Sequence, residues 1–540
     1  MNRRCRGYMK FGEAESKKPL TLPNECAFWY KDCVMCVMNK NLLAPIFVTP
    51  PKTSTLKIAI IGAGIAGLAS AARMAIRGNE VEVFEANSYP GGKLSQFELQ
   101  GYRFDAGPSL FTMPQYVDAL FQEAGLDPNE HFRYQRLPIV CNYFWEDQTR
   151  LSAYSDATDF AQEVETKLGV KAGKLQASLA DSQRKYELSG RIFLEKSLHR
   201  WDTWLQWEVL KAMLKIPQFD LFTTMNRVNE RMVQHPKLVQ LLNRFATYNG
   251  SNPYKVPGLL TIIPHFEHQI GAFYPEGGMY SITKAIHQLA DSKGVRFFFN
   301  STVEEILLAN NKAIGLRVNG SERHFDQVIS NMDVFHAYRR LLPKAPQPEK
   351  VLRQEKSTSA LIFYWGIQRD FPELNMHNIL FSEDYRQEFQ LLSQGQVSDD
   401  PTVYINITSK HSPGDAPAGC ENWFVMINVP FNAGQDWDAI IARSRRNIIA
   451  KISRILQVDL ESLIACEEVL EPRSIESKTW SHLGALYGTS SNERMSAFMR
   501  HPNFSSKIKN LYFVGGSVHP GGGIPLCLLS AKIVDDILHK

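Results

Sequence analysis

The chain has 540 residues, which is too long for one simple hydrophobic core and predicts two or three domains. Hydrophobic residues make up 44% and charged residues 21%, an ordinary globular balance, and 60 basic residues nearly cancel 56 acidic ones, which argues against a nucleic-acid-binding surface. No stretch reaches the roughly 18 apolar residues of a membrane-spanning helix, so the sequence predicts a protein that is soluble or bound to one membrane face.

The N-terminal segment, residues 1–56, is predicted to be a disordered extension. It contains four of the eight cysteines, and Cys33 and Cys36 form a CxxC motif. One such motif without a partner pair is a weak indication of zinc or redox chemistry. The segment also lacks the continuous apolar core of a secretory signal. The remaining cysteines are scattered, which fits a reducing cytoplasm.

A dinucleotide-binding motif follows this extension. Residues 58–61 form a continuous apolar run, which predicts a strand buried on both faces. Gly62, Gly64 and Gly67 come next in GxGxxG spacing. The first permits a tight turn, the second lets the backbone approach a pyrophosphate, and the third lets helix and strand touch. The N-terminus of the alanine-rich helix would present free N–H groups to the phosphates.

A carboxylate and a second glycine turn extend this motif. Residues 81–84 predict a second strand, and Glu85 at its end lies about 20 residues beyond the first glycine, where a carboxylate binds ribose hydroxyls. Gly91, Gly92 and Lys93 then form a second glycine turn with a cation. An NAD site does not need this turn, whereas a longer dinucleotide with a flavin half does. The sequence therefore predicts FAD.

Glycine also dominates a segment near the end of the chain. Five glycines and two prolines fall within residues 515–525, between a predicted buried strand at 510–516 and an apolar run of helical length. Pro525 suits the first turn of that helix. Such a segment predicts close backbone approach to another group.

These motifs resemble a large flavoprotein superfamily that includes amine oxidases, protoporphyrinogen oxidase and carotenoid desaturases. The stretches FDAGPSLFTMP (104–114), FYPEGGMYSI (273–282) and HPGGGIPLCLLSAK (519–532) look like bacterial carotenoid desaturases of the phytoene desaturase type. They look most like the branch that desaturates hydroxylated or methoxylated acyclic carotenoids at the 3,4 bond. Lys93 departs from the usual arginine, keeping the charge but losing the bidentate fork.

The resemblance implies an α/β fold with a discontinuous, Rossmann-like FAD-binding domain and an inserted α+β substrate domain. The FAD-binding domain would comprise residues 57–140, 276–335 and 475–540. The substrate domain, associated with the membrane, would comprise residues 141–275 and 336–474.

The resemblance also implies which residues hold FAD. The backbone at Val303 would face the adenine, and the C-terminal helix would point its N-terminus at the pyrimidine edge of the flavin, where a partial positive charge stabilises reduced flavin. The predicted FAD-contacting residues are Gly62, Gly64, Ile65, Ala66, Gly67, Glu85, Gly91, Gly92, Lys93, Gly107, Pro108, Ser109, Val303, Gly515, Gly516, Gly523 and Ile524.

The implied activity is FAD-dependent desaturation of an acyclic, hydroxylated carotenoid by hydride transfer to the flavin, with no catalytic base identified. The expected partners are this substrate, the inner face of the cell membrane, which binds the cytoplasmic protein peripherally, and an electron acceptor such as oxygen or a quinone. The alternatives are a phytoene desaturase, a retinol saturase or a carotene isomerase. The intact cofactor motifs argue against a non-catalytic prenyl-binding escort protein.

Two further features allow more than one interpretation. Residues 187–245 have a helical pattern in which tryptophan recurs at every third position from Trp201 to Trp207. A buried helix is the favoured interpretation, and a membrane-contacting face is the alternative, since lysines follow. His519 either holds the glycine loop, which is favoured, or takes part in catalysis. His265 and His268 lack a third ligand at a recognised spacing, so no metal is expected.

Overall fold

Two large β-sheets organise the part of the chain that the computed structural model describes, residues 55–493, 496 and 499–539. The CxxC motif at Cys33 and Cys36 lies outside the described residues, as does nearly all of the predicted N-terminal extension.

Strands and helices occur in runs along the described residues, with α4 to α11 and β9 to β13 as the longest runs. The strands β1 to β19 are Lys57–Ile61, Glu80–Phe84, Gln96–Leu99, Tyr102–Asp105, Tyr134–Arg136, Ile139–Phe144, Arg150–Tyr154, Phe273–Pro275, Arg296–Phe298, Val303–Ala309, Lys312–Val318, Ser321–His324, Gln327–Ser330, Ser359–Ile367, His377–Leu380, Val403–Ile407, Glu421–Val429, Ile464–Leu470 and Leu511–Phe513. The α-helices α1 to α18 are Ile65–Ile76, Gln115–Glu123, Pro128–His131, Ala157–Leu168, Ala172–Lys185, Arg191–Glu195, Trp201–Trp204, Trp207–Met213, Met225–Val233, Pro236–Asn243, Ile263–His265, Tyr280–Ser292, Val334–His336, Glu349–Leu352, Tyr385–Ser393, Trp437–Leu456, Pro472–Thr479 and Ile524–Leu538.

The first sheet is parallel and has the strand order β19-β13-β1-β2-β9. Its strands come from three separated parts of the sequence, since β13 pairs with β1 on one side and with the C-terminal strand β19 on the other. Helices α1, α12 and α18 bury one shared apolar cluster against it. The predicted α/β fold class is confirmed. The predicted domain boundaries stay a prediction.

Helix α1 lies unusually close to the strand that precedes it. Its alanines are buried, and a Cβ built at Gly67 would lie 2.1 Å from the carbonyl oxygen of Gly62. Glycine at this position is therefore a packing requirement, which agrees with the role predicted from the GxGxxG spacing.

The second sheet has the order β18-β14-β17-β16-β15-β6-β7 and is antiparallel except for the β15–β6 pair. Alternate residues of its central strand β14 face opposite sides, as the strand period of two requires. Phe363 and Trp365 pack beneath helix α16, whereas Ile362 and Tyr364 pack with Phe424 on the other face. That second face forms one wall of the cavity described below.

The tryptophan-rich segment does not form a buried helix, so the favoured interpretation of it is wrong. It breaks into the short helices α7 and α8, and a small cluster that includes Val209 and Ala212 anchors it. Trp201 is 77% exposed, Trp207 68% and Leu214 83%. The segment carries more apolar side chains than this small cluster takes up. None of the helices in the described residues is long and apolar enough to cross a membrane.

The close contact at Gly67 predicts that a larger side chain there would destabilise the protein. Gly67→Ala should lower the free energy of unfolding by roughly 1–3 kcal/mol, because the added methyl group collides with backbone that has no room to move. Gly173→Ala is the matched control. Its Cβ meets nothing within 4 Å, so it should leave stability unchanged or raise it by up to about 1 kcal/mol. Urea unfolding of the full chain measures both, and equal midpoints for the two variants would contradict this packing.

Candidate cofactor site and substrate cavity

A cavity of about 1540 Å³ lies between the two large sheets. Residues of the glycine loop after β1, such as Gly62 and Gly64, line one side of it. Tyr364, Phe424 and Met426 from the seven-stranded sheet line another side. The first side is the carboxyl edge of the parallel strands, where open α/β sheets bind their ligands.

The glycine loop is held tightly beneath this edge. Gly62 adopts φ +91°, a conformation that favours glycine, and its N–H donates to the Phe84 carbonyl at 2.8 Å. Gly64 starts helix α1, whose first N–H groups are available for phosphate oxygens.

Glu85 lies directly beside this loop. Its Oε2 accepts a hydrogen bond from the Ala63 N–H at 2.7 Å, and its Oε1 accepts from the Asn87 N–H at 2.9 Å. The carboxylate is thus fixed at the end of β2 and lines the cavity, in the position from which an acid holds ribose hydroxyls.

The second glycine turn packs against the first. The Gly91 N–H donates to the Ala63 carbonyl at 2.8 Å, and a Cβ at Gly107 would come within 1.8 Å of the Lys93 carbonyl. The Lys93 ammonium donates to the Leu486 carbonyl at 2.9 Å, and burial lowers its pKa. Within the described residues Lys93 has no carboxylate in ion-pair contact, and the charge of Asp333, which also lines the cavity, acts on it from farther away.

The C-terminal loop closes the same cavity. The Gly515 N–H donates to the Ser530 hydroxyl at 2.9 Å, which ties the loop to helix α18. Gly523 adopts φ +103° just before that helix begins, and a Cβ at Gly522 would lie 2.8 Å from the Tyr487 ring. These glycines leave room for close backbone approach beside a helix N-terminus, as the sequence predicted.

Arg500 is a site residue that the sequence analysis missed. It is 2% exposed, lines the cavity, and donates to the Tyr487 carbonyl at 2.9 Å. In the described part of the chain it makes no ion pair with a carboxylate, and burial lowers its pKa to about 10. The short motif around it contains several polar residues, and the sequence alone gives no reason to single out this one.

Most of the residues predicted to contact FAD line this one cavity. The exception is Gly67, which lies behind the loop against the Gly62 carbonyl and does not reach the cavity surface. Its predicted direct contact with FAD therefore becomes an indirect role, that of setting the distance between helix and loop.

The histidines singled out in the sequence have structural partners. His519 is buried, its pKa is lowered to about 4 by burial, and its Nε2 donates to the Lys196 carbonyl at 2.9 Å, which fits the role of holding the loop. His268 stacks on the Phe160 ring. Potential metal ligands come together elsewhere, at residues that the sequence analysis did not single out. Ligand atoms of His336, Glu476 and His482 lie within 4.8 Å of one another.

Comparison with known proteins agrees with this geometry. Residues 65–534 match the family described as flavin containing amine oxidoreductase. The chain belongs to this family. It is 50% identical over 483 residues to a 1-hydroxycarotenoid 3,4-desaturase from Flavobacterium sp. (strain P99-3), covering 89% of this chain and 99% of the relative.

Two further similarities place the chain more broadly. It is 32% identical over 503 residues to a 4,4'-diapophytoene desaturase from Staphylococcus haemolyticus (strain JCSC1435), covering 90% of this chain and all of the relative. Its fold is similar to a crystal structure of an oxidoreductase from Methanosarcina mazei, with a TM-score of 0.58 at 15% identity over 90% of this chain and 100% of the other.

FAD is therefore the cofactor of this flavin-dependent oxidoreductase, and the cavity fits it. The glycine cradles leave space for the protein backbone to approach FAD, and Glu85 suits its ribose. Lys93 and Arg500, neither of which has a carboxylate in ion-pair contact within the described residues, suit its anionic groups. Which of these residues touch FAD stays a prediction.

Arg500 gives a test of this arrangement. Arg500→Met should weaken FAD retention and lower the flavin midpoint potential, because a buried positive charge stabilises the reduced, electron-rich flavin more than the oxidised form. Each tenfold loss in relative affinity for reduced flavin corresponds to about 30 mV for a two-electron couple. Spectroelectrochemical titration measures the potential. Arg500→Lys, which keeps the charge, should retain most of the wild-type midpoint potential. An unchanged potential in the Met variant would show that the Arg500 charge does not act on the flavin.

Proposed function

We propose that this protein is an FAD-dependent carotenoid desaturase that introduces a double bond at the 3,4 position of an acyclic, hydroxylated carotenoid. The relative named 1-hydroxycarotenoid 3,4-desaturase, half identical over nearly its full length, supports this substrate. The structural observation that carries the proposal is the cavity, which at about 1540 Å³ exceeds the roughly 300–1,000 Å³ of ordinary small-molecule sites. It has room for a long polyene beside FAD.

The walls beyond the predicted FAD-contacting residues are suited to a hydrocarbon. They are built mainly of aliphatic and aromatic side chains from helical segments and from the inner face of the seven-stranded sheet. Examples are Leu194, Leu259, Ile263, Phe266, Ile362, Ile379, Phe424 and Met426. Burying a polyene against such walls removes apolar surface from water and keeps water away from the reacting carbons.

The protein contributes orientation and electrostatics to the proposed reaction. Bound FAD would supply a hydride acceptor for a saturated carbon beside the polyene, and release of a proton from the neighbouring carbon would turn the single bond into a double bond. The apolar walls hold the chain in one register. Lys93, Arg500 and the N-terminus of α18 supply positive charge near the cofactor. Oxygen or a membrane quinone would then take up the electrons.

A product assay tests this function. Flavin-loaded protein in liposomes should convert a 1-hydroxylated acyclic carotenoid to a product that lacks two hydrogens and absorbs at longer wavelength. Phytoene should stay unchanged. Chromatography with mass detection separates the products. Conversion of phytoene instead would assign the protein to the start of the desaturation sequence, and conversion of neither substrate by flavin-loaded protein would overturn the proposal.

The exposed aromatic segment supports a peripheral membrane location for the cytoplasmic protein. Trp201, Leu205, Trp207 and Leu214 are exposed together on one short segment, and an apolar cluster of this kind suits a lipid interface. Lys211 lies 5.3 Å from the Trp207 ring and adds positive charge for an anionic surface. We name this group of residues 201–214 the aromatic patch.

The aromatic patch follows directly on a stretch of chain that lines the cavity. Helix α6 precedes it, and Leu194 and Leu198 from this neighbouring stretch line the cavity wall. A water-insoluble substrate has to come from a bilayer, so a membrane-facing patch next to the cavity offers a short route for it.

The introduction of negative charge into the aromatic patch tests this location. The double variant Trp207→Glu, Leu214→Glu should reduce co-flotation with anionic liposomes by at least about tenfold, because the insertion of two carboxylates into the interface opposes burial. Leu308→Glu is the matched control, since Leu308 is 40% exposed but lies on β10, away from the patch in sequence. Equal flotation of the double variant and the control would exclude the patch as the docking surface.

A further inference from the structure

One polar chain interrupts the apolar cavity. Ser109 and Tyr404 both line the cavity, and their hydroxyl oxygens lie 2.8 Å apart. The Tyr404 hydroxyl also lies 2.8 Å from Nδ1 of His377, which Asn406 Nδ2 approaches at 3.2 Å. We call these four side chains the Tyr404 chain.

One proton arrangement makes a hydrogen bond of every contact in the Tyr404 chain. The Asn406 amide nitrogen can only donate, so His377 Nδ1 accepts and carries no proton. The Tyr404 hydroxyl must then donate to Nδ1 as well, because otherwise two lone pairs would face each other at 2.8 Å. With that proton used, Ser109 must donate to Tyr404. Burial lowers the pKa of His377 to about 3, so its imidazole stays neutral and this order persists at ordinary pH.

The Tyr404 chain therefore presents hydroxyl oxygens to the cavity that can each accept a further hydrogen bond. Both hydroxyl protons are used within the Tyr404 chain, which leaves lone pairs on Ser109 Oγ and one on Tyr404 Oη for a donor from the cavity. His377, 3% exposed, also has an Nε2 that is buried without a partner among the described residues. In this arrangement the imidazole proton sits on Nε2, which is therefore a donor. A hydrocarbon pairs neither with this donor nor with the hydroxyl acceptors, and unpaired polar groups in an apolar site are costly.

The buried charged residues nearby have no such unsatisfied hydrogen-bonding groups. Arg244 and Glu267 form a buried ion pair, and the Tyr248 hydroxyl donates to the same carboxylate. Their charges and hydrogen bonds are thus matched with one another. The unmatched capacity belongs to the Tyr404 chain.

The position of the Tyr404 chain fits a donor close to the reacting bond. Ser109 follows directly on Gly107 and Pro108, two of the residues predicted to contact FAD, and the Tyr364 hydroxyl holds the same stretch by donating to the Ala106 carbonyl at 3.0 Å. In a 1-hydroxycarotenoid a single carbon separates the hydroxyl-bearing carbon from the 3,4 bond. A hydroxyl-binding group must therefore lie beside the flavin.

We propose that Tyr404, held by His377 and Ser109, accepts a hydrogen bond from the hydroxyl of the carotenoid end group and so sets the register that brings the 3,4 bond to the flavin. This inference rests on the proposed function and names the group that selects its substrate. Tyr404 is the specificity-determining contact, and His377 and Asn406 are positioning residues that fix its proton. A site built to bind a hydroxyl discriminates against the analogue that lacks it.

The test compares two probes, a 1-hydroxylated acyclic carotenoid and the same polyene with hydrogen in place of the hydroxyl. Tyr404→Phe should lower kcat/KM roughly tenfold for the hydroxylated probe and leave the other unchanged, since the variant removes one hydrogen bond and no ring volume. Tyr364→Phe is the matched control. Its hydroxyl binds backbone, so any loss should be equal for both probes.

Binding of each probe, measured by quenching of flavin fluorescence, gives a readout that does not require turnover. A Tyr404→Phe protein with full flavin content that still prefers the hydroxylated probe by the wild-type ratio overturns the inference. If Tyr404→Phe fails to fold, Ser109→Ala takes its place. Compared at equal flavin content, Ser109→Ala should also lower the preference for the hydroxylated probe. Wild-type protein that desaturates neither probe would refute the proposed function, and the binding ratio would still decide the role of Tyr404.

Discussion

Parallel pairing of β13 with β1 and β19 is the constraint on which the rest of the site depends. It joins segments separated by hundreds of residues and brings the loops that follow them to one edge. Asn331, just after β13, shows how tight this junction is. Cβ atoms built at Gly64 and Gly515 would lie 2.6 Å and 2.8 Å from its side chain. The glycines of the two loops thus serve the same junction, where a larger side chain in either loop would displace Asn331.

Much of this arrangement could be predicted from the sequence, because it depends on local rules. Gly67, Glu85 and Pro525 carry their meaning in their spacing from a strand or a helix start, and the structure has those strands and helices in the expected order. The seven-stranded sheet and the exposure of Trp201 could not be predicted in the same way. Whether a stripe of tryptophans is core or surface depends on what else competes for the interior, and helices α9 and α10 supply that core instead.

The same limit applies to the residues that sequence analysis missed. Tyr404 belongs to no motif, and the motif around Arg500 does not single it out, so the significance of both lies in what surrounds them. A guanidinium buried without a carboxylate partner among the described residues, and a hydroxyl chain that lines a cavity with its protons used internally, are recognisable only once partners have been counted. Both leave a group incompletely paired in the protein alone. Since buried polar groups are normally paired, each indicates the chemistry of what the cavity holds, an electron-rich cofactor in one case and a hydroxyl in the other.

His519 connects the glycine loop beside the cofactor site to the segment that precedes the aromatic patch. It belongs to the glycine loop that closes the cofactor side of the cavity, yet its Nε2 donates to the carbonyl of Lys196, at the end of the helix that precedes the aromatic patch. A buried imidazole that stays neutral makes this bond insensitive to pH across the ordinary range. The loop beside the predicted pyrimidine edge and the segment proposed to meet the bilayer are therefore held together by a direct hydrogen bond. A movement of the segment before the aromatic patch that displaced Lys196 would either carry this loop along or break that bond, which is how the proposed substrate entry would reach the geometry around the cofactor.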